Sequence, residues 1–142
     1  MAEPNKLNAR QEWLLAQESL SAAEILLDHG KTRSAANRAY YAMFHAASAA
    51  LWLLGAGPFH KHAAVISEFG RLLAAPQLIP RHLHRSLIDA EELRHAADYD
   101  PSAPIPSGDA QRQVEAARTF LAVIAQRFKQ LLPESKGPDL TP

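Results

Sequence analysis

Cysteine is missing from all 142 residues. That absence removes disulfides, thiolate metal sites and thiol nucleophiles together, and it fits a reducing, cytoplasmic setting. An excess of charge of one sign is missing too: 15 Lys and Arg offset 15 Asp and Glu, so the formal net charge is zero. Such a chain has no global positive field to hold nucleic acid without regard to sequence. No DNA partner is expected, and any RNA or nucleotide contact must come from a local patch. No apolar run is long enough to span a bilayer, and the start of the chain, with Glu3, Pro4 and Asn5, has no apolar signal core. Strand-like alternation is absent as well.

What remains is helical periodicity broken by glycine and proline. Five helices are predicted: about Leu7 to His29, Thr32 to Leu54, His60 to Leu73, Pro80 to Ala97, and Asp109 to Leu132 with Ser107 as cap. Between the last two, Pro101, Pro104 and Pro106 remove donors and clash with preceding turns, so residues 99–106 form a loop. Residues 133–142 are expected to be a disordered tail. The fold class is therefore all-α, an antiparallel up-down bundle of four or five helices over residues 1–132. Alanines at 35, 36, 39, 42, 46, 47, 49 and 50 mark the second helix as the central one, because they favour helix and let a neighbouring backbone come close.

That central helix carries the main functional clue. At about 100° per residue, the seven positions from Arg38 to His45 return to nearly the same face, and Tyr41 lies between them. Tyr40, Met43, Phe44, Ala47, Leu51 and Leu54 fall on roughly the opposite side. A cation, a phenol and an imidazole on one stripe are either solvated or building a site. The alternative is structural: Arg38 pairs with Glu92 or Asp98, and His45 hydrogen-bonds inside the bundle.

Other constellations are weaker. Arg81, His84 and Arg85 crowd the first turns of the fourth helix, where positive charge opposes the macrodipole and invites an anion such as phosphate, although Arg85 can pair with Asp89. Seven histidines include His60-x-His62 and His82-x-His84, but residues two apart point to different helix faces and lack a third ligand at helical spacing. No metal and no cofactor are expected. Asp98, Tyr99 and Asp100 are expected to cap the fourth helix and anchor the proline loop, with Asp98 available to Arg38 or Arg94. Trp13 and Trp52 read as core or dimer-interface residues, Trp52 being the better interface candidate.

The run Asn37-Arg38-Ala39-Tyr40-Tyr41-Ala42-Met43-Phe44-His45-Ala46-Ala47 closely resembles the central helix of HEPN-domain proteins, notably the small stand-alone prokaryotic type. His62 ahead of the third helix, and Arg94-His95-Ala96-Ala97-Asp98-Tyr99 at the end of the fourth, extend the resemblance. It implies a bundle that often dimerises. Members act as metal-independent endoribonucleases of toxin type, or as nucleotide-, RNA- or protein-binding modules that partner a minimal nucleotidyltransferase. The resemblance implies an arginine followed within a few residues by histidine as the catalytic pair. Arg38 and His45 match that pattern at its upper limit, with Asn37 and Tyr41 positioning the substrate and Arg94, Asp98 and Tyr99 in support. No histidine follows Arg94 at that spacing. One His and one Arg are too few for base, acid and phosphate clamp, so this reading requires a homodimer.

Overall fold

The computed structural model describes residues 3–133, and among them every regular element is helical. The predicted tail lies, from residue 134 onward, outside the described residues. Helices α1 (Glu3–Asp28), α2 (Thr32–Leu53), α3 (His62–Phe69), α4 (Arg81–Tyr99) and α5 (Ser107–Arg127) follow one another, with a π-helical turn at Gly70–Ala74 and a 3-10 turn at Lys129–Leu131. The first connection is tight. Gly30, at φ 72°, donates to Leu27 while Lys31 donates to Leu26, the reversal that closes a helix with a left-handed glycine. No described helix is long and apolar enough to cross a membrane.

The alanine-rich helix is the axis, as expected. All four other helices pack against α2, and its pairing with α1 is the most extensive in the molecule. Ala9, Ala16 and Ala23 recur every seven residues along α1 and are wholly buried, as are Ala35, Ala39, Ala42 and Ala46 on α2. Small residues on both helices let the two backbones approach. Around this seam Tyr40, Met43, Phe69, Leu87 and Phe120 are completely enclosed, each contributing about 1.5–3 kcal/mol of apolar burial. Trp13 belongs to the same core, whereas Trp52 is only half-buried against it.

The structure moves several predicted boundaries. α1 starts at Glu3, α4 runs two residues further than expected, and α5 stops at Arg127, where Phe128 leaves helical geometry and turns into the core. Ser107 is not a cap: it is the first residue of α5, Pro106 precedes it, and no side chain caps that end. Asp100 ends α4 and accepts from the Ser102 backbone (3.1 Å) and hydroxyl (2.6 Å). The proline loop has a stronger anchor that the sequence did not reveal. Arg33, in the first turn of α2, donates to the carbonyl oxygens of Ala97, Pro101 (3.0 Å) and Ala103.

The predicted third helix is interrupted at Gly70, where Ala75 donates back five residues to Gly70. A methyl group on Gly70 would lie 2.5–3.0 Å from the ring atoms of His84, which is itself held by Ile66 at 3.0 Å. Gly70→Ala is therefore expected to cost about 1–3 kcal/mol in thermal melts, through overpacking. His84→Ala in the same chain should recover most of that loss. Additive losses in the double variant would mean that the ring is not what Gly70 accommodates.

Candidate functional site

Arg38 lies across the face of Tyr41, its Cζ 4.8 Å from the ring centroid. Its Nε and Nη2 both donate to Asn37 Oδ1, at 3.2 and 3.0 Å. Among the described residues no carboxylate lies within ion-pair distance of it. The pairing expected under the structural alternative is absent because Asp98 engages Arg94 at 3.0 Å and Glu92 stands 3.8 Å from Arg85. A half-buried guanidinium oriented by a neutral amide and an aromatic face keeps its charge available to an anion. Asn37, Arg38, Arg94 and Asp98 line one cleft of about 350 Å³.

His45 lies on the other flank of Tyr41, with ring centroids 6.1 Å apart. Its Nδ1 meets Glu12 Oε2 on α1 at 2.6 Å, and the two side chains remain 21% and 27% exposed. The second half of the structural alternative, a hydrogen bond inside the bundle, is thus present. It holds one ring nitrogen and leaves Nε2 without a protein partner among the described residues. A carboxylate on Nδ1 fixes the imidazole's orientation and tautomer, which a working general base requires. Glu12 escaped the sequence reading, yet a signal existed: it sits beside Trp13 and between the buried Ala9 and Ala16, on the edge of the α1–α2 seam.

Tyr40 and Phe44 depart from the helical-wheel expectation. Both belong to an aromatic cluster with Tyr41 and His62 rather than to a separate opposite face. Tyr40 and Tyr41 meet edge-on at 5.1 Å, and Phe44 and His62 lie 4.3 Å apart. The Tyr40 hydroxyl stands 3.0 Å from His62 Nδ1. Burial, reinforced by the nearby Glu91 carboxylate, pushes the Tyr40 phenol far above its ordinary range, so it keeps its proton and can donate. The Tyr40 hydroxyl and the Glu91 carboxylate thus lie close enough to act on each other.

Arg94 is the opposite of Arg38. Only 15% exposed, it donates to Glu91 at 2.6 Å and Asp98 at 3.0 Å, and its Cζ lies 5.0 Å from the Tyr40 ring and 6.0 Å from Tyr41. Burial would lower its affinity for a proton, but the Glu91 hydrogen bond and charge outweigh it and raise the pKa. Burial alone would raise the Glu91 pKa; proximity to Tyr40 and the Arg94 bond bring it below the ordinary carboxylate value.

Burial pushes the His62 pKa down, with the charge of Arg94 adding to the effect against the opposing pull of Glu91. The folded chain therefore resists protonation that the unfolded chain accepts at about 6.5. Stability from this group is complete above that value and falls as pH drops below it toward the folded pKa. Melting curves between pH 7.5 and 5.5 should fall more steeply for the wild type than for His62→Gln. Parallel curves would show that His62 is not the group concerned.

The remaining predicted site residues do not join this cluster. Tyr99 is 94% exposed. Arg85 is neutralised by Asp89 at 2.6 Å, Arg81 is exposed on a separate cleft, and His84 is occupied by Ile66 and Gly70. At the start of α4 Arg81 and His84 line one cleft together with Arg71, whereas Arg85 turns along its own helix to Asp89. Among the described residues, no three His, Asp or Glu side chains are grouped closely enough to hold a metal ion.

The HEPN domain family profile matches residues 11–128 of this chain. A UPF0332 protein of Gloeobacter violaceus is 37% identical over 116 residues, covering 81% of this chain and 91% of that protein. A protein of Methanocaldococcus jannaschii whose name proposes a toxin is 36% identical over 118 residues, covering 83% and 87%. A UPF0332 protein of Pyrococcus horikoshii reaches 52% identity over a shorter stretch of 56 residues, 39% of each chain. With the profile spanning most of its length, and with five helices arranged around one alanine-rich axis, the chain belongs to the HEPN domain family.

Proposed function

We propose that this protein is a metal-independent endoribonuclease of toxin type that works as a homodimer. The observation that carries the reading is the contrast within the cluster: Arg94 is bound to two carboxylates, whereas Arg38 has none among the described residues and lies 4.8 Å from the Tyr41 ring beside His45. A relative whose name proposes a toxin supports the same direction.

The chemistry needs three roles. His45 Nε2 takes the proton of an RNA 2′-hydroxyl, whose oxygen attacks the adjacent phosphorus. A new oxygen–phosphorus bond forms as the bond to the 5′-oxygen breaks, giving a 2′,3′-cyclic phosphate and a 5′-hydroxyl. His45 of the partner subunit supplies the proton to that departing oxygen, and Arg38 stabilises the charge gathering on the phosphorane. Glu12 holds His45 in place and Asn37 holds Arg38.

The test is RNA cleavage in EDTA with the whole purified chain, together with sedimentation to measure its mass in solution. Cutting that persists in EDTA and is lost in His45→Ala, by a protein that sediments as a dimer, is the expected result. No cutting, or equal cutting by both proteins, overturns the reading; so does an active monomer.

A further inference from the structure

The start of α2 holds a cation that the helix itself does not need. Arg33 lies in the first turn, where the dipole of α2 opposes positive charge, and among the described residues no carboxylate stands within ion-pair distance of it. Its donors go to backbone instead. Ala97 stands one helical turn before Pro101, which has no N–H to close that turn, and Arg33 Nη1 donates to the Ala97 carbonyl in its place. Nη2 donates to the carbonyls of Pro101, at 3.0 Å, and Ala103. One guanidinium thus ties the start of α2 to the end of α4 and to the proline loop. The loop's apolar hold is small: Ile105, 6% exposed, packs with Ala36, Ala97 and Ala110 in a cluster separate from the main core.

We infer that Arg33 is a positioning residue for the Arg38 cleft, the lock on a strap that makes part of its wall, an inference that rests on the reading of Arg38 as a phosphate clamp. The lining of the cleft carries the argument. Arg33, Ala97, Asp98 and Ile105 border the same 350 Å³ as Asn37 and Arg38, so the strap and the clamp share one space. A segment with three prolines has few N–H groups to hold its own shape. Without the guanidinium, the carbonyls of Ala97, Pro101 and Ala103 return to solvent, and the strap is left to Ile105 and its small cluster. Because that cluster is separate from the main core, the wall can loosen while the bundle stays folded. Arg38 is oriented by Asn37 and Tyr41, and His45 by Glu12, none of which belongs to the strap. Loss of the lock therefore weakens the hold on RNA and leaves the reacting groups in place, a loss of uniform binding that shows in KM and not in kcat.

The experiment compares the full wild-type chain with Arg33→Met and Arg33→Lys by amide hydrogen exchange, by phenylglyoxal labelling of Arg38 read from peptide mass, and by RNA cleavage in EDTA. In Arg33→Met the amides between Asp100 and Ile105 are expected to exchange about tenfold faster, while those along the α1–α2 seam keep their protection. Arg38 should label faster, and KM for RNA should rise about tenfold with kcat unchanged. Lysine keeps the charge but not the fork that spans three carbonyls, so Arg33→Lys should fall short of the wild type in all three measurements. Full recovery by lysine would assign the effect to charge in the cleft and overturn the inference. So would exchange that does not quicken, exchange that quickens with Arg38 labelling and KM unmoved, or a fall in kcat at constant KM. Faster exchange and faster labelling in Arg33→Met, with no cleavage by any of the three proteins, would leave the strap standing and remove the nuclease reading alone.

Discussion

Alanine at position 45 is expected to slow RNA cleavage in EDTA by about 10²- to 10⁴-fold, the range over which a positioned acid or base accelerates proton transfer. In the proposed mechanism His45 would serve as both base and acid across a twofold dimer, so the loss should lie toward the upper end. The Glu12→Gln variant refines the test, because glutamine keeps the shape and a hydrogen bond while removing the charge that meets Nδ1 at 2.6 Å. A charge-assisted bond of about 1.5–3 kcal/mol, felt in the transition state, corresponds to roughly a ten- to hundredfold loss. That loss should fall on kcat with KM for RNA unchanged. A rise in KM alone would assign Glu12 to substrate binding instead, and an unaltered rate with a lowered melting temperature would make the Glu12–His45 bond purely structural.

The second large effect is on stability, and it separates the two arginines. Arg94→Ala strands Glu91, which is only 16% exposed, without its main cation. Uncompensated buried carboxylates cost about 3–5 kcal/mol, and the residual solvent contact here reduces that to about 2–3 kcal/mol. Arg38→Ala breaks no ion pair among the described residues and should change stability by no more than about 0.5 kcal/mol. Urea denaturation of both variants checks the contrast. If Arg38→Ala proves as damaging as Arg94→Ala, then Arg38 holds the bundle together and its cleft is not a binding site. If Arg94→Ala is neutral, then Glu91 finds another partner and the wall of the Arg38 cleft is less rigid than the 2.6 Å bond implies.

The bundle could be read from the sequence because helix periodicity is local and the punctuation was plain. Runs of alanine on α2, glycine after α1 and the prolines before α5 each act within a few residues. Arg38, Tyr41 and His45 could be read for the same reason: one helix sets their relation. What escaped notice depends on a second element crossing the first. A helical wheel assigns Tyr40 to the face away from Arg38, yet α3 and α4 close over the flank of α2 and draw Tyr40, His62, Glu91 and Arg94 into one cluster. Glu12 comes from α1, and the π-turn at Gly70 answers to a ring 14 residues further along the chain. The pairing of Arg85 with Asp89 was legible because the two stand one turn apart on α4, whereas the bond from His84 to the Ile66 carbonyl on α3 was not.

The buried alanines of α1 and α2 have a last consequence. Glu12 and His45 stand on two rods whose shared seam is made of buried alanines, small side chains with little freedom to absorb a shift. The hairpin therefore works as a jig. A bulkier residue at Ala16 or Ala46 would wedge the rods apart and misalign carboxylate and imidazole together.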